Sequence, residues 1–122
     1  MTPSSRSDAP AAVPLKPIVF QILLVLLDEE RHGWGIVREV ERRAGGTLRI
    51  LPGNLYRSLR EMLADGLIEE SARRPDPDLD DERRRYFKVT RRGREVARAE
   101  AERLEALVAD ARSLKLLASR KP

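Results

Sequence analysis

Apolar side chains recur along this chain with two spacings, and those spacings divide it into elements. Between Leu15 and about Leu27, residues Ile18, Ile22, Val25 and Leu26 fall at helical intervals, and Leu23, Leu24 and Leu27 widen the apolar face. The pattern predicts a helix buried on most sides, opened by Pro17, whose missing N–H is harmless in a first turn. Asp28-Glu29-Glu30-Arg31 is a polar break. A second helix is predicted over Gly33 to Ala44, with Trp34, Ile36, Val37, Val40 and Ala44 as its apolar stripe and Trp34 read as core. Gly45-Gly46 then stop it, because glycine adopts the left-handed conformation that ends helices. Thr47 to Leu51 reads as one short strand. From Pro52 to about Asp65 a third helix places Leu55, Leu59, Met62 and Leu63 on one face and Asn54, Arg57, Arg60, Glu61 and Ala64 away from it; Gly66 ends it. Leu51 stands at its N-cap and cannot cap, so Asn54 or water is expected to satisfy free N–H groups there. His32 is expected to cap or brace the start of the second helix.

Two strand-like runs follow, Leu67 to Glu70 and Arg85 to Val89. The polar stretch between them, with Pro75 and Pro77, is too long for a tight turn and suits a wing. Thr90 is a good N-cap for a last helix reaching about Ala118. On it Leu104, Leu107, Ala111, Leu114 and Ala118 alternate at intervals of three and four, and the same seam runs back through Glu100, a polar blemish, to Ala97. A helix of that length spans roughly 40 Å, more than so small a domain can cover. It either folds back on its own core or pairs with the same helix of a second copy; the heptad-like stripe favours pairing.

Composition narrows the classes. At 122 residues there is room for one domain, and small domains often gain stability by oligomerising. The absence of cysteine removes disulfides, thiolate metal sites and cysteine nucleophiles and fits a reducing, cytoplasmic setting. The longest apolar run, Ile18 to Leu27, is too short to span a bilayer, so no membrane partner is expected. Residues 1–14 read as a disordered tail without the apolar core of a secretory signal. The net charge of +4 is unevenly spread: residues 31–60 carry seven arginines against two glutamates. That basic excess suits phosphate.

Catalytic chemistry has little support. His32 is the only histidine and cannot make an ordinary zinc site without cysteine. The cluster Asp76, Asp78, Asp80, Asp81 and Glu82 lacks the glycine and the terminal bidentate glutamate of a calcium loop. No metal, cofactor or enzymatic activity is expected.

The order helix, helix, helix, hairpin, helix is that of a winged helix-turn-helix. The fold expected is mostly α (α+β), with a two-stranded wing and a long C-terminal dimerisation helix. Its divisions are a tail (residues 1–14), the winged domain (15–89) and the dimerisation helix (90–118). In this design the third helix enters the major groove of double-stranded DNA. Asn54, Arg57 and Arg60 point outward on it, with Tyr56 at the margin. Asparagine can read adenine and arginine guanine, or either can hold phosphate. In the wing, Arg73, Arg74, Arg83 and Arg84 form shoulders around an acidic tip. They are expected to touch DNA while the tip bends away from the phosphates. Leu104, Leu107, Ala111 and Leu114 are the dimerisation candidates. The competing reading is a winged-helix module that binds protein, which should expose apolar residues on the third helix; that face is polar and cationic.

Four runs carry a family resemblance. His32-Gly33-Trp34-Gly35-Ile36 resembles the His-Gly-aromatic start of the second helix in the PadR family. Leu51-Pro52-Gly53-Asn54-Leu55-Tyr56-Arg57-Ser58-Leu59 resembles its Pro-Gly-x-Leu-Tyr recognition-helix signature. Leu63-Ala64-Asp65-Gly66-Leu67-Ile68-Glu69 resembles the approach to the wing. Arg84-Arg85-Tyr86-Phe87-Lys88-Val89-Thr90, with Gly93, resembles the second wing strand and the start of the last helix. The resemblance covers about residues 15–117, and the single terminal helix is similar to the branch with a short C-terminal region. It implies a dimeric transcriptional repressor acting on an inverted repeat, with Tyr56 meeting a DNA phosphate through its hydroxyl. A small-molecule effector at the dimer interface is compatible with it, and no residue specifies that effector's chemistry.

Overall fold

The computed structural model describes residues 13–47, 49–72 and 85–118. In chain order the elements are α1 (Pro17–Asp28), β1 (Arg31–His32), α2 (Gly33–Arg43), α3 (Pro52–Ala64), β2 (Ile68–Glu70), β3 (Tyr86–Val89) and α4 (Arg91–Ser113). The chain is mostly helical and adopts the winged-helix arrangement. β2 and β3 form the antiparallel hairpin, with Ile68 opposite Val89 and Glu70 opposite Phe87. β1 lies on the other side of β3, with Arg31 opposite Phe87, so β3 is central in a three-stranded sheet. The core gathers one face of every helix: Ile22 and Leu23 of α1, Ile36 and Val40 of α2, Leu55 and Met62 of α3, and Val96 of α4 are all buried, with Ile68 and Phe87 from the sheet. Burying a side chain of this kind contributes about 1.5–3 kcal/mol, so the shared core is what holds these short elements together.

Several expectations need correction. Residues 49–51 form no strand, and the third strand is Arg31–His32 instead. The Ile50 N–H donates to a Glu41 carboxylate oxygen at 2.8 Å, so the segment after α2 is tied back to that helix. Trp34 is not core: it is 63% exposed. It shares a helical face with Arg38 and Glu41, four and seven residues on, whereas the buried residues of α2 are Gly33, Ile36, Val37 and Val40. Asn54 makes no cap, and α3 begins without a side-chain cap hydrogen bond. α4 stops at Ser113 and does not reach Ala118. Lys115 takes a positive φ of 66°, its N–H donates to the Arg112 carbonyl, and the Leu116 N–H donates to the Ala111 carbonyl. That is a Schellman turn with lysine where glycine is usual. The wing residues 73–84, including Arg73, Arg74, Arg83 and Arg84 and the acidic tip, lie outside the described residues.

Other local expectations hold. His32 caps α2, its Nδ1 accepting from the Gly35 N–H at 3.0 Å, while its ring packs edge-on against Tyr86. Gly66 ends α3 with φ 76°. Its N–H and that of Leu67 bond the Leu63 and Met62 carbonyls, again a Schellman turn. Thr90 caps α4 by accepting from the Gly93 N–H at 3.0 Å, and its hydroxyl donates to the Gly66 carbonyl. The Thr90 N–H donates to the Leu67 carbonyl at 3.0 Å. One residue thus fastens the start of α4 to the turn that ends α3.

Gly93 completes this junction. A Cβ placed on it would lie 2.0 Å from the Leu67 carbonyl oxygen and 2.8 Å from Val89 Cγ1. The first obstacle is backbone, which cannot rotate aside as a side chain could. Gly93→Ala should therefore destabilise the protein by about 3 kcal/mol, the upper end of overpacking costs, read as a lower urea midpoint. A midpoint equal to wild type would show that the junction yields.

Candidate nucleic-acid interface

α3 divides cleanly by burial. Leu55, Ser58, Leu59 and Met62 face the core, and Gly53, Asn54, Arg57, Arg60, Glu61 and Ala64 are exposed. Three of the predicted site residues, Asn54, Arg57 and Arg60, are thereby brought to one outward surface. Tyr56 stands beside them, 47% exposed. Its ring edge and hydroxyl lie 3.6 Å from where a Gly33 Cβ would be, so the tyrosine leans on the first turn of α2. Gly53 has open space around it: nothing lies within 4 Å of a Cβ built there.

Charge partners separate the arginines into two groups. Arg42 and Arg43 at the end of α2 both bond Glu39, and Arg43 also reaches Asp28 at 2.9 Å. Those two guanidinium groups hold the Glu39 carboxyl down to about 2. Arg31 is engaged by Asp28 and by the Val25 carbonyl. Among the described residues, Arg57 and Arg60 have neither a hydrogen bond nor an ion pair, and the Tyr56 hydroxyl is likewise unbonded. The cations of α3 are thus open to an outside anion, while Arg31, Arg42 and Arg43 already face carboxylates, Arg43 tying α2 to α1 through Asp28.

α4 changes character along its length. Gly93, Val96, Ala97 and Glu100 are buried. Glu100 is 2% exposed: its carboxylate accepts two bonds from Arg103, at 2.9 and 2.7 Å, and one from the Leu15 N–H at 3.3 Å. The polar blemish in the seam is therefore a tie between α4 and the chain leading into α1. Past it Leu104 and Ala111 are half-buried, whereas Leu107 is 51% and Leu114 72% exposed, and Val108, Leu116 and Leu117 are exposed as well. Among the described residues, no helix is long and apolar enough to cross a membrane.

Comparison with known proteins bears on what this surface is for. The family model for the transcriptional regulator PadR-like family matches residues 22–99, which run from within α1 through α2, α3 and the sheet into α4. The chain belongs to the PadR-like family of transcriptional regulators. It is similar in fold to a PadR family transcription regulator from hypervirulent Clostridium difficile (18% identity, TM-score 0.68, covering 81% of this chain and 98% of that one). A PadR-like transcription factor from Bacteroides fragilis is also similar (18%, TM-score 0.65, 80% and 88%), as is RosR from H. salinarum (28%, TM-score 0.59, 84% and 98%). No curated protein matches the chain. As a PadR-like regulator it is not an enzyme, in keeping with the sequence. Two residues stand differently from the sequence reading: Trp34, read as core, is exposed, and Arg85, read only as the start of a strand, lies 5.6 Å over the Phe87 ring and 3.0 Å from Glu70. The i+4 and i+7 partners of Trp34, both charged, are the signal that could have placed it.

The Glu100 tie gives a pH dependence with a definite sign. Chiefly the Arg103 bond, and after it the Leu15 N–H, hold the Glu100 carboxyl below the ordinary 4.5 of a glutamate. A carboxyl depressed in the folded state contributes stability that is present above 4.5 and is lost as pH falls through that value toward the folded pKa. Glu100→Gln should therefore flatten the acid limb of a urea-midpoint profile. An acid limb as steep as that of wild type would show the tie to be energetically silent.

Proposed function

We propose that this PadR-like regulator binds duplex DNA as a homodimer and represses transcription by occluding a promoter. The observation that carries the reading is the outward face of α3: Asn54, Arg57 and Arg60 are exposed, and both arginines lack a partner among the described residues. A helix with an apolar inner face and hydrogen-bonding outer groups suits the major groove, about 12 Å wide. Arg57 and Arg60 read guanine or hold phosphate, Asn54 contacts a base edge, and the Tyr56 hydroxyl donates to a phosphate. Arg73, Arg74, Arg83 and Arg84 supply phosphate contacts from the wing shoulders. A protein-binding module would need a broad apolar surface on this face, whereas its centre is formed by Asn54, Arg57, Arg60 and Glu61, with Tyr56 at the margin.

The dimer follows from α4. Its outer half leaves Leu107 in the open, as the residue after it does Leu114, next to half-buried Leu104 and Ala111. A second copy of the same helix would cover that stripe. In this reading residues 15–89 form the DNA-binding unit and 90–118 the dimerisation unit. Two α3 helices related by a two-fold axis reach successive major grooves about 34 Å apart, so the operator is an inverted repeat. A small-molecule effector would act by favouring one of two spacings between those helices.

Selection of bound duplexes from a random pool, with native mass measurement of the protein, tests both halves. An enriched palindrome and a dimer mass are expected; a monomer with no enriched sequence would sink the reading. Arg57→Ala and Arg60→Ala should each weaken binding to the selected duplex by about 1–3 kcal/mol, measured by fluorescence anisotropy. Leu107→Asp combined with Leu114→Asp should turn the dimer into a folded monomer in sedimentation, because both positions are exposed within one subunit.

A further inference from the structure

The chain leading into α1, the last turn of α3 and the first turn of α4 together enclose a cleft of about 550 Å³. Leu15, Val19, Met62 and Leu67 give it aliphatic walls, and among the described residues no aromatic side chain lines it. Arg92 supplies a cation. Its Nε donates to the Asp65 carbonyl at 3.1 Å. Its Nη1 is buried and, alone among the buried side-chain nitrogens and oxygens of the described residues, has no hydrogen-bond partner. A buried donor in that state is destabilising until an acceptor reaches it. At the rim Lys16 pairs with Glu61 at 3.4 Å, which leaves the Asp65 carboxylate as the second acid there.

We propose that this cleft binds a small aliphatic monocarboxylate, with its carboxylate on Arg92 and its alkyl chain against Leu15, Val19, Met62 and Leu67. The volume lies within the range of small-ligand sites, about 300–1,000 Å³. A carboxylate matches a guanidinium with two parallel N–H···O bonds, and a small turn of the Arg92 head gives Nη1 the acceptor it lacks. Asp65 opposes a second negative charge at the rim, so a monoanion fits better than a phosphate ester. Without an aromatic wall there is no stacking surface for a flat ring, and a flexible chain fits the aliphatic walls better. The inference goes beyond the DNA-binding reading and does not rest on it. The walls of the cleft nevertheless belong to α3 and α4, whose relative placement an effector of the proposed regulator would have to alter.

Octanoate is the probe. The full chain, labelled with carbon-13 at its methionine methyl groups, would be titrated with sodium octanoate and followed by NMR. Its methionines are Met1 and Met62, and Met62 lines the cleft. A saturable shift of the Met62 methyl signal is expected. Arg92→Gln keeps an N–H donor for the Asp65 carbonyl and removes the charge. It should weaken octanoate binding about tenfold, the factor that one charge-assisted hydrogen bond supplies. Octanol, of the same length without the charge, should bind wild type and Arg92→Gln alike, and wild type about tenfold more weakly than octanoate does. Ala64→Trp, at an exposed position on the cleft wall, should block both ligands, which covers the case in which Arg92→Gln fails to fold. Undiminished octanoate binding in Ala64→Trp or in folded Arg92→Gln, or a wild-type Met62 signal that octanoate leaves in place, overturns the proposal. Benzoate binding as tightly as octanoate overturns the aliphatic assignment. None of these outcomes bears on the DNA-binding reading, which is tested on duplexes without octanoate.

Discussion

The structure depends on how closely α4 approaches the turn between α3 and β2. Gly93 crosses the Leu67 carbonyl at a separation that leaves no room for a side-chain carbon, and Thr90 bonds Gly66 and Leu67 in the same few ångströms. This contact joins the two parts of the molecule with different work. On one side is the helix that offers unpaired arginines outward; on the other is the helix whose far half is uncovered. A junction of backbone against backbone is stiff, because the atoms in contact have no rotamers with which to give way. The direction in which α4 leaves the winged domain is therefore fixed relative to α3.

A second tie acts in the same sense from the other end of the chain. Glu100 holds the Leu15 N–H, just ahead of α1, while Arg103 satisfies the rest of its carboxylate. A buried carboxylate with hydrogen bonds on both oxygens is a directional fastener, where an aliphatic residue would only fill space. α1 in turn packs on both α2 and α4, and β3 sits between β1 and β2. The small sheet and four helices thus share one core, within which α3 packs on α1, α2 and β2.

Much of this was legible in the sequence because the local signals agreed. Pro17, Gly66 and Thr90 each stand where a helix begins or ends, and His32 caps as expected. The apolar stripes of α1 and α3 are largely buried, but Leu24, expected to widen the face of α1, is exposed. What could not be read depended on contacts between distant segments. β1 is two polar residues long and exists because β3 offers it a pairing edge. Thr47 to Leu51 has the composition of a strand, but Ile50 spends its N–H on Glu41. Trp34 was drawn into the core by its chemistry, although its angular position on α2 belongs with Arg38. The helical signal near Leu114 continues in composition, yet the chain turns at Lys115 in a conformation that lysine rarely adopts. On the outward face, Asn54, Tyr56, Arg57 and Arg60 were all placed correctly at the surface, whereas Arg85 was read only as part of a strand, because its contacts with Glu70 and the Phe87 ring arise from the folded sheet.

Gly53 in α3 and Gly93 in α4 have opposite consequences for how such a regulator could diverge. Gly93 is walled in, so any lineage that keeps this architecture must keep it. Gly53 opens on empty space in the first turn of α3, its backbone torsions ordinary for any residue. A side chain acquired there would project from the exposed surface without disturbing a single packed atom. The molecule therefore carries an unfilled position at the place where recognition would be tuned, and new target preferences can be tried there while the scaffold stays intact.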